Sequence, residues 1–269
     1  MTVQPVSRGR RTVLVTGGSS GIGYELSRLF AARGYVVVLV ARNRERLNVA
    51  AKDLRSAFGG TVIPIPLDLS HPSAPEHLFA ILKKRRVSVD VLVNNAGIAS
   101  YGEFARIGLD VERELLQVNV AALTSLTKLF LKEMVERHTG KILNVASAAA
   151  FQPGPLRATY FASKAYVLSL TEAIAAEVQG SGVTVSALCP GPTATDLHIR
   201  AGMAGTKWAG AHRMDPRAVA DAAFAGLMAG KVVIIPGVRY RLLSHVVHVV
   251  PRRITRTLVK RMHEKRIAQ

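Results

Sequence analysis

The chain has 269 residues, 49% of them hydrophobic and 20% charged, with 22 Gly and 12 Pro. That balance excludes a disordered, collagen-like or disulfide-scaffolded protein and fits one large α/β domain. Lys and Arg number 36 against 18 Asp and Glu, a formal net charge of +18, which favours an anionic partner: a phosphorylated cofactor, acidic lipid headgroups or nucleic acid.

Cys189 is the single cysteine, so no internal disulfide can form. No Cys/His cluster has zinc-ligand spacing, and the expectation is a reducing, cytoplasmic setting with no metal. Met1 to Arg11 lacks the apolar run of a secretory signal. The longest apolar stretches, such as Tyr35–Ala41 and Val246–Val250, fall far short of the roughly 20 residues that a membrane-spanning helix requires.

In chain order, short β-branched runs predict strands at Thr12–Val15, Val36–Val40, Thr61–Pro66, Val89–Val93, Lys141–Val145, Val183–Leu188 and Val232–Ile235. Helical periodicity lies between them, at Gly21–Arg33, Arg44–Phe58, Ala74–Arg86, Val111–Arg137, Thr159–Gln179 and Pro216–Ala229. Asp215-Pro216 supplies an N-cap and first-turn pair for the last of these. The alternation predicts right-handed βαβ crossovers and a three-layer, doubly wound parallel sheet of seven strands, spanning residues 1–237 without an internal boundary. Thr193 to Met214, rich in Gly and Ala and carrying Trp208, is long enough for an active-site lid.

The first strand runs into Thr16-Gly17-Gly18-Ser19-Ser20-Gly21-Ile22-Gly23 and then a helix. Glycines at 17, 21 and 23 let the backbone turn tightly and approach a diphosphate, while the helix start offers unpaired N–H groups and positive dipole charge. Where NAD-selective sites carry a carboxylate for the ribose 2′-hydroxyl, the second strand ends in Ala41-Arg42. Arg42, with Arg44 and Arg46 nearby, suits a 2′-phosphate, so NADP(H) is the expected cofactor. Asn94-Asn95-Ala96-Gly97 follows the fourth strand as a turn beside this cleft. Asn119 interrupts an otherwise apolar helical pattern, where an amide is ordinarily a satisfied core group.

Tyr160 and Lys164 in Tyr160-Phe161-Ala162-Ser163-Lys164 stand at i and i+4, on one helix face. A neighbouring ammonium favours the ionised form of a phenol and so makes it a more useful proton carrier. Ser147 closes the fifth strand, ahead of the tyrosine.

This ordered set resembles the single-domain branch of the short-chain dehydrogenase/reductase family over about residues 10 to 237. The resemblance implies a catalytic tetrad of Asn119, Ser147, Tyr160 and Lys164. It implies cofactor contacts from Gly17, Ser19, Ser20, Gly21, Ile22, Gly23, Arg42, Asp68, Leu69, Asn95, Ala96, Gly97, Tyr160 and Lys164. Pro190, Gly191, Thr193 and Thr195 match the segment that holds the nicotinamide carboxamide. The implied reaction is reversible NADPH-dependent reduction of a carbonyl. In it Tyr160 is the general acid/base, Ser147 binds the carbonyl, Lys164 orients the nicotinamide ribose and Asn119 holds a water on the proton path. A homodimer or homotetramer through Val111–Arg137 and Thr159–Gln179 is implied as well.

Candidate substrate residues are Ala149, Phe151, Leu156, Leu197 and Trp208, with Ala148, Pro153, Tyr101, Phe104 and Met203 around them. This mainly apolar set suits a long acyl, steroid-like or aromatic ketone. The tail over 238–269 carries nine Lys or Arg, with Ile254, Leu258 and Met262 at successive i+4 positions. Such a basic amphipathic extension suits an anionic membrane interface, packing on its own domain, or a partner-binding arm. It looks similar to the extensions of long-chain 3-oxoacyl reductases in the same superfamily. The competing reading is an NADP(H)-binding scaffold or nucleic-acid-binding protein without catalysis. Few aromatics, and charge gathered in the tail, argue against nucleic acid.

Overall fold

The computed structural model describes residues 9–203, 206 and 213–264. Seven parallel strands form one sheet: β1 (Thr12–Thr16), β2 (Val36–Ala41), β3 (Val62–Pro66), β4 (Val91–Asn94), β5 (Gly140–Val145), β6 (Val183–Leu188) and β7 (Val233–Ile234), in the order β3-β2-β1-β4-β5-β6-β7. The helices are α1 (Gly21–Ala31), α2 (Arg44–Phe58), α3 (Ala74–Lys84), α4 (Leu109–Leu116), α5 (Leu123–Glu136), α6 (Ala158–Glu177), α7 (Leu197–Arg200), α8 (Pro216–Met228), α9 (Val238–Val249) and α10 (Arg252–His263).

Runs such as Val36–Ala41 are apolar throughout because both sheet faces are covered. On one face Leu26 and Phe30 of α1, Leu47 and Leu54 of α2, and Val219 and Leu227 of α8 pack on Val13, Val15, Val37 and Leu39. On the other, Leu78 and Leu82 of α3, and Leu126, Phe130 and Met134 of α5, pack on Leu14, Val38, Leu92 and Ile142. The alternating side chains of each strand thus feed two cores.

The predicted single helix Val111–Arg137 begins earlier, at Leu109, and is interrupted by a π-helical segment, Gln117–Ala122, between α4 and α5. The wider turn of a π segment shifts the side chains it carries relative to the flanking helix, and Asn119 lies within it. The Thr193 to Met214 excursion is tied at its base by a parallel bridge between those two residues, with Met214 N–H donating to the Pro192 carbonyl at 2.7 Å. Within it α7 is a single turn, and Met203 is buried. Trp208 lies outside the described residues. Among the described residues no helix is long and apolar enough to cross a membrane.

A buried polar chain joins the centre of the sheet to its helices. Asn94 Nδ2 donates to Asn144 Oδ1 (2.9 Å) and to Thr127 Oγ1 (3.0 Å), and Asn144 Nδ2 donates to Thr171 Oγ1 (3.1 Å). Asn144→Leu strands the groups facing it, so the free energy of unfolding should fall by about 1–3 kcal/mol. Urea denaturation with an unchanged midpoint would show that the chain is not stabilising.

Candidate active site

A cavity of about 770 Å³ opens where β1 and β4, which lie side by side, send their chains to opposite ends of the sheet. Crevices at such a reversal of strand order are the usual ligand positions in open α/β sheets. Thr16 Oγ1 accepts from Asn95 N–H and Ala96 N–H, both at 3.0 Å, and Asn95 Nδ2 donates to the carbonyls of Thr16 (3.0 Å) and Gly17 (3.1 Å). These four bonds join the Gly-rich turn to the Asn95-Ala96-Gly97 turn.

Gly17 and Gly21 have φ of +65° and +56°, which disfavour side chains. A Cβ on Gly17 would also stand 2.7 Å from Asn95 Nδ2. Gly17, Ser19, Ser20, Gly21 and Ile22 line the cavity, and Ser20, at the N-cap of α1, makes no side-chain cap bond. The amides of that helix start are therefore available to an anion. Gly23 is set back from the wall; there it lets α1 pack on Asn95 and Gly17, since a Cβ would meet Asn95 Nδ2 at 2.4 Å. Asp68, Leu69, Asn95, Ala96, Gly97, Pro190, Gly191, Thr193 and Thr195 all line the same cavity.

Arg42 stands at the rim with its side chain 63% exposed, 3.2 Å from Glu114 and 3.8 Å from Asp68. Arg46 pairs with Asp196 at 3.2 Å. Exposed pairs of this kind contribute at most about 1 kcal/mol each, so a phosphate dianion can compete for either guanidinium. The donor set thus fits a dinucleotide with a charged ribose end.

Ser147, Tyr160 and Lys164 line the same cavity. Ser147 lies just beyond β5 and caps the short turn Ala148–Phe151, its Oγ accepting from Ala149 N–H at 3.1 Å. Tyr160 and Lys164 lie one turn apart on α6, with Nζ 5.8 Å from the phenol ring centroid. Lys164 Nζ donates to the Val145 carbonyl at 2.8 Å.

Asn119 is not in the wall. Its Oδ1 accepts from Ile98 N–H and its Nδ2 donates to the Ile98 carbonyl, both at 2.9 Å, with Ser163 Oγ a further acceptor at 3.2 Å. It therefore pins the lining residue Ile98 from behind.

Of the apolar substrate candidates, Ala149, Phe151 and Leu197 line the cavity. Leu156 does not: it holds a left-handed conformation at φ +66° in the turn before α6, where its carbonyl accepts from Gly102 N–H. The lining position next along the chain belongs to Arg157, which sequence reasoning missed. Its guanidinium stacks 4.2 Å over the Tyr160 ring, and burial pulls it below the usual arginine range while the phenol opposes that pull. Its spacing three residues before Tyr160 was the available signal.

The tail helices add to the wall through Tyr240, Leu243, Ser244 and Val247 of α9 and Val259, Met262 and His263 of α10. Tyr101 Oη donates to the His263 carbonyl (2.8 Å), and His263 Nδ1 lies 3.2 Å from the Pro155 carbonyl. Burial, aided by the Arg157 charge, brings the His263 imidazole down to about 4. No local pattern announces these contacts, which join residues 162 and 108 apart in the chain.

Burial also draws the Lys164 ammonium down to about 8, from 10.5, with Cys189 opposing. The unfolded chain restores the higher value, so between those two pH values the unfolded state binds more protons and stability rises with pH. Thermal unfolding of the wild type should therefore gain on Lys164→Met as pH climbs from 8 towards 10.5. A constant gap between the two proteins would remove the buried-ammonium assignment.

Residues 11–203 match the family model described as short chain dehydrogenase. A short chain dehydrogenase of Pseudocercospora fijiensis is 37% identical over 189 residues, 70% of this chain and 61% of that protein, so the chain spans about three-fifths of that relative. A ketoacyl reductase of a Nostoc species, HetN, is 35% identical over 213 residues, 79% of this chain and 73% of that one. Among solved structures, a short-chain dehydrogenase from Sphingobium yanoikuyae in complex with NADPH superposes with a TM-score of 0.80 at 33% identity, covering 88% of this chain and 93% of that one. The strand order, the glycine-rich turn at its reversal point and these matches agree: the chain belongs to the short-chain dehydrogenase/reductase family.

Proposed function

We propose that the protein is an NADP(H)-dependent oxidoreductase that reversibly reduces a hydrophobic ketone or 3-oxoacyl group to the alcohol. The observation that carries this reading is the meeting, in one cavity, of the Gly17–Ile22 turn with Ser147, Tyr160 and Lys164. The similarity to a ketoacyl reductase and to a dehydrogenase solved with NADPH supports it.

NADPH, when bound, supplies the hydride to the carbonyl carbon. The protein does the rest. Its amides at the start of α1 would hold the diphosphate, and Arg42 would hold the 2′-phosphate. Ser147 Oγ and the Tyr160 hydroxyl donate hydrogen bonds to the substrate oxygen, where negative charge develops. Tyr160 then hands its proton to the alkoxide oxygen, and in the oxidation direction takes one from the alcohol. Lys164, one turn along α6 with its ammonium beside the phenol ring, would hold the nicotinamide ribose and favour the ionised phenol. Asn119 positions Ile98, and through it the wall beside the reacting carbon. Ala149, Phe151, Leu197 and the inward residues of α9 and α10 exclude water and receive an apolar substrate. The domain of residues 1–237 carries the chemistry, and α9 and α10 of the extension over 238–269 complete its pocket.

A second copy of the chain completes the assembly as a homodimer or homotetramer. The faces of α4, α5 and α6 suit that contact, because Leu116 and Tyr166 are exposed there and Thr124 Oγ1 lies 3.0 Å from Tyr166 Oη. The lone, buried thiol of Cys189 suits a reducing cytoplasm.

Screening NADPH oxidation against acyl, steroid and aromatic ketones tests the reaction and its substrate class. With the best ketone, Tyr160→Phe should lower kcat by about 10²–10⁴-fold, the usual contribution of general acid catalysis, while NADPH affinity is retained. A variant keeping more than about a tenth of wild-type kcat contradicts the role. Arg42→Ala should weaken NADPH by about 10–100-fold, equivalent to a lost hydrogen bond between charged groups, and leave NADH nearly unchanged. Equal weakening of the two cofactors in fluorescence titrations places the 2′-phosphate elsewhere.

A further inference from the structure

The two C-terminal helices have opposite faces of different character. Inward, α10 buries Thr255, Val259 and His263, spaced i, i+4, i+8. Val259 shares a cluster with Leu115, Ala149, Tyr160 and Phe161, and the His263 ring stands edge-on to Phe161 at 5.5 Å. This face is fully used by the domain.

Outward, the same helices expose Val238, Leu242 (66%), Val246 and Val249 (82%) on α9, and Ile254 and Leu258 (52%) on α10. A helix that merely caps a domain carries polar residues on its water side, so this apolar surface calls for a partner. Around it Arg239, Arg241, Arg252, Arg253, Arg256, Lys260 and Arg261 are all exposed, and Glu264 is the single acid of α9, α10 and their cap residues.

Charge decides among partners. Two copies of this face would bring seven cations against seven, which disfavours self-pairing. An acidic protein answers the cations and leaves the aliphatic side chains without a counterpart. An anionic bilayer answers both: aliphatic groups enter the acyl boundary, and long Arg and Lys side chains reach the headgroups. Leu243 and Met262 add a further constraint, because each is 48% exposed and also lines the cavity. The cavity therefore reaches the surface on the apolar, basic face.

We infer that α9 and α10 dock on an anionic lipid surface and that the cavity, opening beside Leu243 and Met262, takes its hydrophobic carbonyl substrate directly from that surface. The delivery half rests on the reductase reading above; the docking half does not.

The full chain is sedimented with phosphatidylcholine vesicles, with and without about 30% phosphatidylglycerol, an anionic lipid that each basic residue near the surface favours by about fivefold. Binding should require phosphatidylglycerol and fall as salt rises, because screening shortens the reach of the cations. Ile254→Asp with Leu258→Asp, and separately Arg253→Glu with Arg256→Glu, alter exposed residues outside the cavity wall. Each pair should weaken vesicle binding at least about tenfold. Reduction of a water-soluble ketone should be unchanged in both, while reduction of a long-chain ketone held in the vesicles falls.

Absence of binding to anionic vesicles, or equal binding by wild type and variants, overturns docking. So does concentration-dependent self-association that Ile254→Asp with Leu258→Asp abolishes, or a preference for an acidic protein over vesicles. Loss of vesicle binding in the variants with unchanged reduction of the vesicle-held ketone overturns delivery alone. Failure to reduce any ketone, with docking intact, counts against the reductase reading and not against the lipid surface.

Discussion

Thr16 and Asn95 hold together two turns whose strands send the chain in opposite directions. Two of the bonds between them accept backbone N–H groups of the Asn95-Ala96 turn on the Thr16 hydroxyl, and two donate from the Asn95 amide back to the Thr16-Gly17 backbone. Everything that makes the cavity depends on this stitch. It sets the glycine-rich turn against the start of α1, keeps Gly17 in its left-handed conformation and holds Ala96 and Gly97 against the same space. A larger residue at Gly17 or Gly23 would collide with the Asn95 amide itself, so the glycines and the asparagine form one packing unit.

From that unit the site extends by a different physical device, the burial of polar and charged groups beside fixed backbone partners. Lys164 is 5% exposed and answers the Val145 carbonyl, Asn119 is 1% exposed and answers both backbone groups of Ile98, and Arg157 is 2% exposed against the face of Tyr160. Each group would be costly alone in an apolar interior. Lys164 and Arg157 stand beside the phenol ring, and Asn119 fixes the Ile98 wall from behind.

The C-terminal helices link that pocket to the outside. Their inward face supplies wall residues to the cavity and is fastened by His263 and Tyr101, while their outward face is both apolar and basic. One short segment therefore shapes the pocket and presents an apolar, basic surface beside its mouth. The low value of the His263 imidazole follows from the same arrangement, since a charged ring would have to sit buried next to Arg157.

Much of this architecture is legible in one dimension. The seven β-branched runs and the intervening helices follow from apolar periodicity, which is a local property set by two covered sheet faces, and each observed strand lies within a residue or two of its predicted bounds. The Gly-rich turn, the Asn95 turn, Ser147 and the Tyr160–Lys164 pair are equally local, because glycine, turn residues and i, i+4 spacing carry their own geometry. What tertiary structure alone decided are contacts between segments remote in sequence. The π segment set Asn119 behind the wall at Ile98, the left-handed turn at Leu156 left the lining position to Arg157, and α10 returned to close the pocket over Tyr160. Periodicity shows that a helix has two faces and cannot say which neighbour each face will meet. That choice belongs to the packing of the whole chain, where Val259 found the phenol and Leu258, one residue away, was left facing out.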